Sequence, residues 1–417
     1  MIDALPERPD LPDALARRVA ADYDRFRAGL PPRLEEYCLD AYGVNLASRY
    51  GGLPIKNPFG KASGQLSLAP YQIEKDAEAG LGFALLKTVI AQNEAGLQSM
   101  QDWAIRETHM LVERITGRSG RSGWTVTWKG RGWHESFAAY LDFFGRALEA
   151  GGLAGMLVVP SCKYHLPQPG ETLWRRDEYE FTTRALLGVW RVACAGPMPL
   201  EKDFSPTLAG SSLASQQEKI LEWLQRVPGL IRGAVAPGEV WVGLKIFNAM
   251  FDDDFQLEML ETAHVPDGER ADFLIYGNRL FDPAKEFEGK VGVAYGGPDL
   301  SERNLRVLAR WLDRRGRAGT ASLPLSATGD IGTGRMAVEY LLRGASSFQI
   351  HTAFQLPDSE YAMTSGSKTA RALHRLLFHP EDGFIAWICH LRRARGWPEG
   401  ADVAEMAKRC EEEGANA

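Results

Sequence analysis

Cysteine is scarce in this sequence and follows no metal-binding spacing. The 417 residues contain five scattered cysteines without a C-x-x-C pair, namely Cys38, Cys162, Cys194, Cys389 and Cys410. Structural zinc sites and iron–sulfur clusters use closely spaced cysteine ligands, so the sequence predicts neither. Such sparse cysteine is typical of a reducing compartment.

Long apolar runs and a strong excess of one charge are also missing. No stretch of about 18 uninterrupted apolar residues occurs, which argues against a membrane span. Residues 1–13 carry acids and prolines where a secretory signal would have an apolar run. The net charge of −6 argues against a general nucleic-acid binder. The sequence therefore predicts a soluble, cytoplasmic protein whose partners include neither nucleic acid nor membrane.

Alternation is the main pattern that the sequence does contain. Short apolar runs are followed by segments of helical periodicity, which predicts an α/β protein with a parallel sheet. Eight such runs predict closure into a (β/α)₈ (TIM) barrel. The predicted strands are 56–62, 83–88, 123–128, 155–160, 240–247, 272–277, 322–327 and 346–351. Helices are predicted at 134–150, 215–226, 299–316 and 333–343.

The predicted barrel domain spans residues 49–364 and carries three additional segments. Residues 1–48 are predicted to form a helical N-terminal extension, and residues 365–417 a helical C-terminal extension that packs on the barrel. Residues 163–214 are predicted to be a long insertion after the fourth strand. Long insertions at the carboxyl ends of barrel strands often cover a site, so this insertion is expected to be a lid.

The segment 324–354 predicts a phosphate site. It reads as strand, glycine turn, helix, strand and turn. Backbone N–H groups of Gly329, Asp330, His351 and Thr352 are expected to converge on a phosphate at a helix N-terminus. Many barrels bind phosphate with the loops that follow their seventh and eighth strands.

This segment resembles the FMN-phosphate signature of the dihydroorotate dehydrogenase family, which includes the flavin domain of dihydropyrimidine dehydrogenase. Further segments match the family in its own order: NPFGKASG (57–64), LLKT (85–88), GLKIF (243–247), ADFLIYGN (271–278) and AYGGPDLS (294–301). The resemblance covers residues 50–365. It implies an FMN-dependent oxidoreductase that acts on a CH–CH bond of a small polar molecule and exchanges electrons with a diffusible acceptor or donor. A homodimer is usual among such proteins.

The resemblance also implies roles for individual residues. Lys245 is implied to stabilise the negative charge of reduced flavin, as a fixed cation would. Lys87 is implied to lie between flavin and substrate, and Asn278 to bind substrate. The full set implied to contact FMN is Ala62, Ser63, Gly64, Lys87, Thr88, Lys245, Gly296, Gly297, Gly329, Asp330, His351 and Thr352.

A catalytic base is implied on the loop after the fourth strand, where the family has a cysteine or serine. The stretch VVPSCKYHLPQPGE (158–171) places Cys162 at that position, directly after Ser161. His165 follows three residues later and is an alternative base, or a group that tunes the thiol. Either residue would remove a proton from carbon while hydride leaves the adjacent carbon.

The substrate half departs from the family pattern. Val159 and Tyr164 stand in place of two asparagines, Lys163 replaces a proline, and 125–133 lacks an expected asparagine. Asp330 replaces the second glycine of the phosphate turn. A site that loses the partners of a polar ligand rejects that ligand, so a substrate other than dihydroorotate is expected.

Replacement substrate contacts are expected from the same region. The candidates are Lys163 and Tyr164, with His165, Arg175 and Arg176 as further anion-binding groups and Trp124, Trp128, Trp133 and Trp174 as an aromatic wall. Two other functions stay open at this point. One is RNA modification of the tRNA-dihydrouridine-synthase type, and the other is a barrel that binds flavin or phosphate without redox turnover.

Overall fold

The computed structural model describes residues 3–107, 109–128, 130–168, 170–204, 217–248, 252–264, 270–287, 289–318 and 323–415. The helices of these ranges are α1 (Asp13–Arg25), α2 (Leu34–Tyr42), α3 (Pro70–Glu78), α4 (Phe137–Leu153), α5 (Arg176–Ala193), α6 (Gln217–Arg232), α7 (Asp253–Ala263), α8 (Pro298–Ala318), α9 (Gly334–Leu341), α10 (Lys368–Phe378), α11 (Phe384–Arg395) and α12 (Val403–Ala415). The strands are β1 (Ser48–Tyr50), β2 (Leu53–Ile55), β3 (Phe59–Lys61), β4 (Phe83–Leu85), β5 (Val89–Ile90), β6 (Met110–Thr116), β7 (Ser122–Trp128), β8 (Leu157–Val159), β9 (Ser161–Lys163), β10 (Met198–Asp203), β11 (Val240–Asn248), β12 (Phe273–Phe287), β13 (Lys290–Tyr295), β14 (Leu325–Thr328) and β15 (Ala345–Ile350).

Parallel strands close into a barrel whose helices lie between successive strands. Around the barrel the order is β3, β4, β8 with β9, β10, β11, β12, β14 and β15, and β15 pairs with β3 to close the ring. Strands β8 and β9 are two halves of one barrel strand on either side of Pro160, which lacks a backbone donor. One half pairs with β4 and the other with β10. The predicted (β/α)₈ fold is confirmed.

The prediction that residues 123–128 form a barrel strand is wrong. Residues 123–128 do form a strand, β7, but it pairs antiparallel with β6 in a separate hairpin. The missing barrel strand is β10, which lies inside the predicted insertion 163–214 together with helix α5. That insertion is therefore part of the barrel as far as Phe204, and its remaining residues fall outside the described ranges. Strand β10 escaped prediction because its last three residues are charged, although all three are buried.

Three aromatic rings fill the barrel at its amino-terminal end. Tyr50 comes from the β1–β2 hairpin, and its ring lies 4.7 Å from that of Phe83 and 5.1 Å from that of Phe273. All three side chains are fully buried. Gly60 and Gly243 face the same space, where an added Cβ would overlap the rings of Phe83 and Phe273. The aromatic floor therefore closes one end of the barrel and leaves the other end for a site.

The two terminal extensions pack on the outside of the barrel. Near the N-terminus the amides of Ala4 and Leu5 donate to the Glu339 carboxylate of α9 at 3.0 and 2.9 Å. Helix α1 contacts α10, and α12 contacts α8 and β15. Helical extensions at both ends, as predicted, are present. Among the described helices, none combines the length and apolar character needed to cross a bilayer.

Candidate active site

A large cavity opens at the carboxyl ends of the barrel strands. Its volume is about 1110 Å³, at the upper end of the range for small-molecule and cofactor sites. The β6–β7 hairpin forms one wall, where Arg114, Ser122, Trp124 and Val126 line the space. A second wall, next to the hairpin, is the turn after β14 together with the end of β15. This is the end of a barrel at which enzymes of this architecture carry their active sites.

The cavity is lined by more basic than acidic side chains. The basic ones are Lys87, Arg114, Arg121, Arg131, Lys245, Arg279 and Arg375, and the acidic ones are Glu107, Asp203, Asp330 and Glu360. This balance is opposite in sign to the net charge of −6 of the whole chain. A concave site with an excess of cations raises the local concentration of anionic ligands.

A buried polar network connects the cavity to the aromatic floor. The Lys245 ammonium donates to Gln349 Oε1 at 3.0 Å and to Glu201 Oε1 at 3.3 Å. Gln349 in turn donates to the other Glu201 oxygen at 2.8 Å and to the Tyr50 hydroxyl at 3.0 Å. Burial raises the pKa of Glu201, and the neighbouring Lys245 partly offsets that effect. These contacts hold Lys245 in one position at the base of the cavity.

Lys87 and Asp203 stand on the same side of the cavity. The only hydrogen bond of Lys87 in the described structure is made by its backbone amide, which donates to Ser67 O. Burial lowers the pKa of the Lys87 ammonium to about 8, with Asp203 acting in the opposite direction and Arg279 and Lys245 adding to the decrease. A lysine with a pKa this close to neutrality is suited to proton transfer.

Hydroxyl groups at neighbouring strand ends link these charges. The Thr88 hydroxyl lies 2.9 Å from that of Ser63 and 3.1 Å from that of Ser161, and it donates to Asp203 at 3.4 Å. Ser161 donates to Glu201 at 3.0 Å. Ser63 and Thr88, both predicted, thus meet at the cavity surface.

The predicted phosphate turn forms the far wall of the cavity. Residues 329–333 all line it and lead into helix α9, whose first turn is capped by Thr333 Oγ1 accepting from Met336 N at 3.1 Å. Gly329 has a φ of 111°, and an added Cβ would lie 2.8 Å from Asn304 Nδ2. Only glycine suits that backbone at that distance. His351 and Thr352 line the same wall from the end of β15.

Asp330 lies within this turn with its carboxylate hydrogen-bonded away from the helix end. Ser301 Oγ donates to Asp330 Oδ2 at 2.9 Å. Burial raises the pKa of Asp330 to about 7, and Ser301 and Arg121 partly counter that increase. A carboxyl group with this pKa is partly neutral near pH 7, which weakens its repulsion of a bound phosphate.

Two of the predicted glycines shape the cavity without lining it. Gly64 packs against the His351 imidazole, where an added Cβ would lie 2.6 Å from the ring. Gly297 has a φ of 95° and packs against Ile115 of the hairpin. Gly296 does line the cavity and donates its amide to Thr125 Oγ1 at 3.1 Å. These close approaches bring the hairpin onto the barrel mouth.

Asn278 lines the cavity, as does its neighbour Arg279. Arg279 is held in a left-handed conformation, with a φ of 46°. Its guanidinium donates to Ala294 O and Val126 O, each at 3.0 Å, and so joins the β12–β13 ribbon to the hairpin. Burial lowers the pKa of Arg279 to about 10.

The structure does not bring Cys162 to the cavity. Successive side chains of a strand point to opposite faces, so Ser161 faces the barrel interior and Cys162 faces the surrounding helices. The thiol is fully buried in the hydrophobic core beside Tyr140, Tyr164 and Tyr179. Burial in that apolar environment raises the thiol pKa, the reverse of what thiolate chemistry needs.

The other predicted residues of the 158–171 loop are also directed away from the cavity. The Tyr164 ring stacks on Tyr179 with centroids 4.6 Å apart, and its hydroxyl lies 2.7 Å from Thr183 Oγ1. His165 is buried, and its Nε2 lies 3.2 Å from a Glu171 oxygen. Burial lowers the pKa of His165. Neither residue lies where it would reach a ligand in the cavity.

The predicted anion-binding and aromatic groups divide between cavity, core and surface. Trp124 lines the cavity, whereas Trp133 and Trp174 are buried in the core. Arg175 and Arg176 are exposed. Lys163 lies behind a wall residue, with Nζ 4.9 Å from the Trp103 ring centroid. The side chain of Trp128 falls outside what the structure describes.

Several cavity residues were not predicted from the sequence. Asp203, and Glu201 beneath Lys245, belong to the unrecognised strand β10, and their alternation at positions 201 and 203 was the available signal. Trp103, Arg131 and Gln349 carry no motif. The first two lie on either side of the β6–β7 hairpin, in stretches that no periodicity marks.

Neither the protein-family models nor the curated proteins contain a match to this chain.

Proposed function

We propose that this protein is an FMN-dependent oxidoreductase that acts on a CH–CH or C=C bond of a small polar molecule other than dihydroorotate. The observation that carries the proposal is the placement of a glycine turn at the N-terminus of α9 and a buried, fixed lysine, Lys245, on one cavity. A phosphate at the turn and a flavin ring over Lys245 would match the cofactor's two charged regions.

The residues present are compatible with FMN. Gly329 and Gly332 give the turn a backbone without side-chain bulk, and α9 adds a helix N-terminus, which favours anions. Ala62 has a small side chain and Gly64 has none, so little side-chain bulk stands at the end of the first barrel strand. The volume of about 1110 Å³ leaves room for a second molecule beside the cofactor. Asp330 is an unfavourable group in this turn, and burial moderates its effect because it raises the pKa of the carboxyl to about 7.

FMN supplies hydride acceptance or donation when it is bound. Lys245 would stabilise the negative charge that the reduced ring carries. In the dehydrogenation direction the neutral Lys87 amine would accept a proton from one substrate carbon while hydride leaves the adjacent carbon, which forms the C=C bond. Asn278 and Arg279 would orient the substrate's polar groups.

The loop after the fourth barrel strand offers a second candidate for proton transfer. The family resemblance implies a base after the fourth barrel strand. In the structure the fourth barrel strand is β10, whereas the sequence predicted 155–160 for it. The sequence beyond Asp203 reads Phe204, Ser205, Pro206, and Ser205 lies outside the described residues. Ser205 therefore replaces Cys162 as the residue to test at that position.

A spectroscopic titration tests the proposal. The purified protein is reconstituted with FMN, reduced anaerobically, and reoxidised with a panel of unsaturated polar compounds. We expect a bound flavin whose reduction potential falls in Lys245→Met, because the cation beside the reduced ring is lost. Lys219→Met, at an ion pair with Glu222 on α6, is the matched control and should leave the potential unchanged. A protein that binds no FMN, or a potential that does not respond to Lys245→Met, would contradict the proposal.

Proton transfer is tested in the same reconstituted protein once an oxidisable or reducible compound is found. Lys87→Met should abolish turnover, Ser205→Ala reports on the second candidate, and Cys162→Ala should keep turnover. If instead a structured RNA were bound with strong salt dependence, the RNA-modifying alternative would be favoured.

A further inference from the structure

We infer that the cavity holds a second anion subsite, centred on Arg131, that receives a carboxylate or phosphate group of the substrate. This inference rests on the proposed function and specifies its substrate class. The subsite lies across the barrel mouth from the phosphate turn, so one ligand phosphate does not account for both.

The location follows from the order of the strands. The phosphate turn follows β14 and β15, the seventh and eighth barrel strands. Arg131 belongs to a short ribbon in which its backbone exchanges two hydrogen bonds with Ile105, of 2.9 and 3.1 Å. That ribbon is tied to the second barrel strand, because Trp133 N donates to Thr88 O at 2.7 Å. In a ring of eight strands, the third and fourth lie opposite the seventh and eighth, and Arg131 interacts electrostatically with Lys163 of β9 in the third barrel strand.

The Arg131 guanidinium has its donors available. Within the described ranges it forms neither a hydrogen bond nor an ion pair, and its Nε is buried without an acceptor. Burial alone lowers its pKa. A half-buried cation without a partner has lost part of its hydration, and a bound anion would offset that loss. A planar guanidinium with free donors matches the paired oxygens of a carboxylate or phosphate.

An aromatic wall adjoins this guanidinium. The Trp103 ring packs on Gly132, where an added Cβ would lie 2.9 Å from the indole, and Lys163 Nζ lies 4.9 Å from the ring centroid. Trp103 is therefore fixed between the ribbon and the third barrel strand. An acidic molecule that binds Arg131 would lie against this indole.

Neighbouring charges favour an anion at this end. Lys87 lines the same cavity without a side-chain hydrogen bond. The acidic residues here are Glu107 and Asp203. Asp203 already interacts electrostatically with Lys87, Lys163 and Arg279. Glu107 is not within ion-pair distance of Arg131 in the described structure, so the guanidinium keeps its charge uncompensated.

Binding of simple aromatic acids to the flavin-free protein tests the subsite. Benzoate, phenyl phosphate and the neutral analogue benzamide are titrated by isothermal calorimetry into the wild type, Arg131→Gln, Arg131→Lys and the control Arg226→Gln. Arg226 lies on α6, does not line the cavity, and pairs with Glu222 at 3.1 Å. We expect Arg131→Gln to lower the affinity for the acid by about tenfold or more, because a charge-assisted hydrogen bond is lost.

The other variants and ligands test the subsite further. Arg131→Lys should bind more weakly than wild type, because it keeps the charge but loses the paired donors, and it decides the question if Arg131→Gln does not fold. Arg226→Gln should bind as wild type. The better of benzoate and phenyl phosphate identifies the oxyanion. Equal binding of benzamide, unchanged affinity in both Arg131 variants, or no saturable binding of either acid to the wild type would overturn the inference.

FMN affinity is measured separately in wild type and Arg131→Gln by quenching of flavin fluorescence. We expect it to be the same in both. Loss of FMN binding with retained benzoate binding would contradict the proposed function alone, whereas the opposite pattern would contradict only the subsite.

Discussion

At the scale of single residues, the site is built from charges that the barrel has taken out of water. Lys87, Lys245 and Asp203 are all buried or nearly so at the ends of strands. Removing a cation from water favours its neutral form, and a nearby carboxylate opposes that effect. Lys245 is stabilised by direct contact with Glu201, whereas Lys87 has no such partner and its pKa falls to about 8.

The reactivity of Lys87 gives a direct check of this environment. Competitive labelling with acetic anhydride across a pH series should show half-maximal labelling of Lys87 near pH 8, since only the neutral amine reacts. Asp203→Asn should shift that midpoint to lower pH, because the carboxylate that favours the charged form is gone. Mass spectrometry measures the labelling, with exposed Lys75 as the internal reference. Lys87 labelling that rises only above about pH 10, the range of ordinary lysines, would refute this account.

Cys162 shows that a short sequence pattern does not determine which face of a strand a side chain occupies. Its sequence neighbours were interpreted as a catalytic loop, and the run 155–160 was correctly predicted as a strand. Whether Ser161 or Cys162 faces the interior depends on the phase of a strand interrupted at Pro160, and a one-residue change of phase exchanges the two faces. Apolar alternation could not fix that phase, because Val158 and Val159 are both buried.

At the scale of elements, hydrophobic periodicity predicted seven of the eight barrel strands. It failed at β10, where MPLEKD places Glu201 and Asp203 toward the barrel interior. It failed also at β7, whose alternation is real but serves a hairpin that covers the cavity. Strands that carry a site replace apolar side chains with polar ones, so the strands richest in function are the hardest to recognise from the sequence.

The aromatic floor is the element-scale feature with the clearest energetic consequence. Gly243→Ala should lower the free energy of unfolding by about 1–3 kcal/mol, because the new methyl group overlaps the Phe273 ring in a closely packed interior. Thermal and urea denaturation measure the loss. Adding Phe273→Leu to Gly243→Ala should recover part of the stability in a double-mutant cycle.

Gly188→Ala provides the matched control for this substitution. Gly188 lies on the exposed face of α5 and an added Cβ there meets nothing within 4 Å. Replacing it should leave stability unchanged or increase it, since alanine favours helix. Equal effects of the two substitutions would show that the barrel floor is not tightly packed around Phe273.

At the scale of the whole molecule, the barrel mouth divides into two ends. The end after β14 and β15 has the glycine turn and a helix N-terminus. The end at β4 to β10 holds Arg131, Trp103 and Asp203. The sequence marked the first end because turns that need glycine leave a glycine pattern. It did not mark the second, because the side chains there come from an irregular excursion and an unrecognised strand.

The phosphate site proposed at one end of the cavity is tested by comparing FMN with riboflavin, which lacks only the phosphate. The binding of both flavins is measured by fluorescence quenching. We expect saturable binding of one FMN per chain and an affinity for riboflavin that is lower by about tenfold or more, since the helix N-terminus and turn act on the phosphate. Equal binding of the two flavins, or binding of neither, would contradict the account.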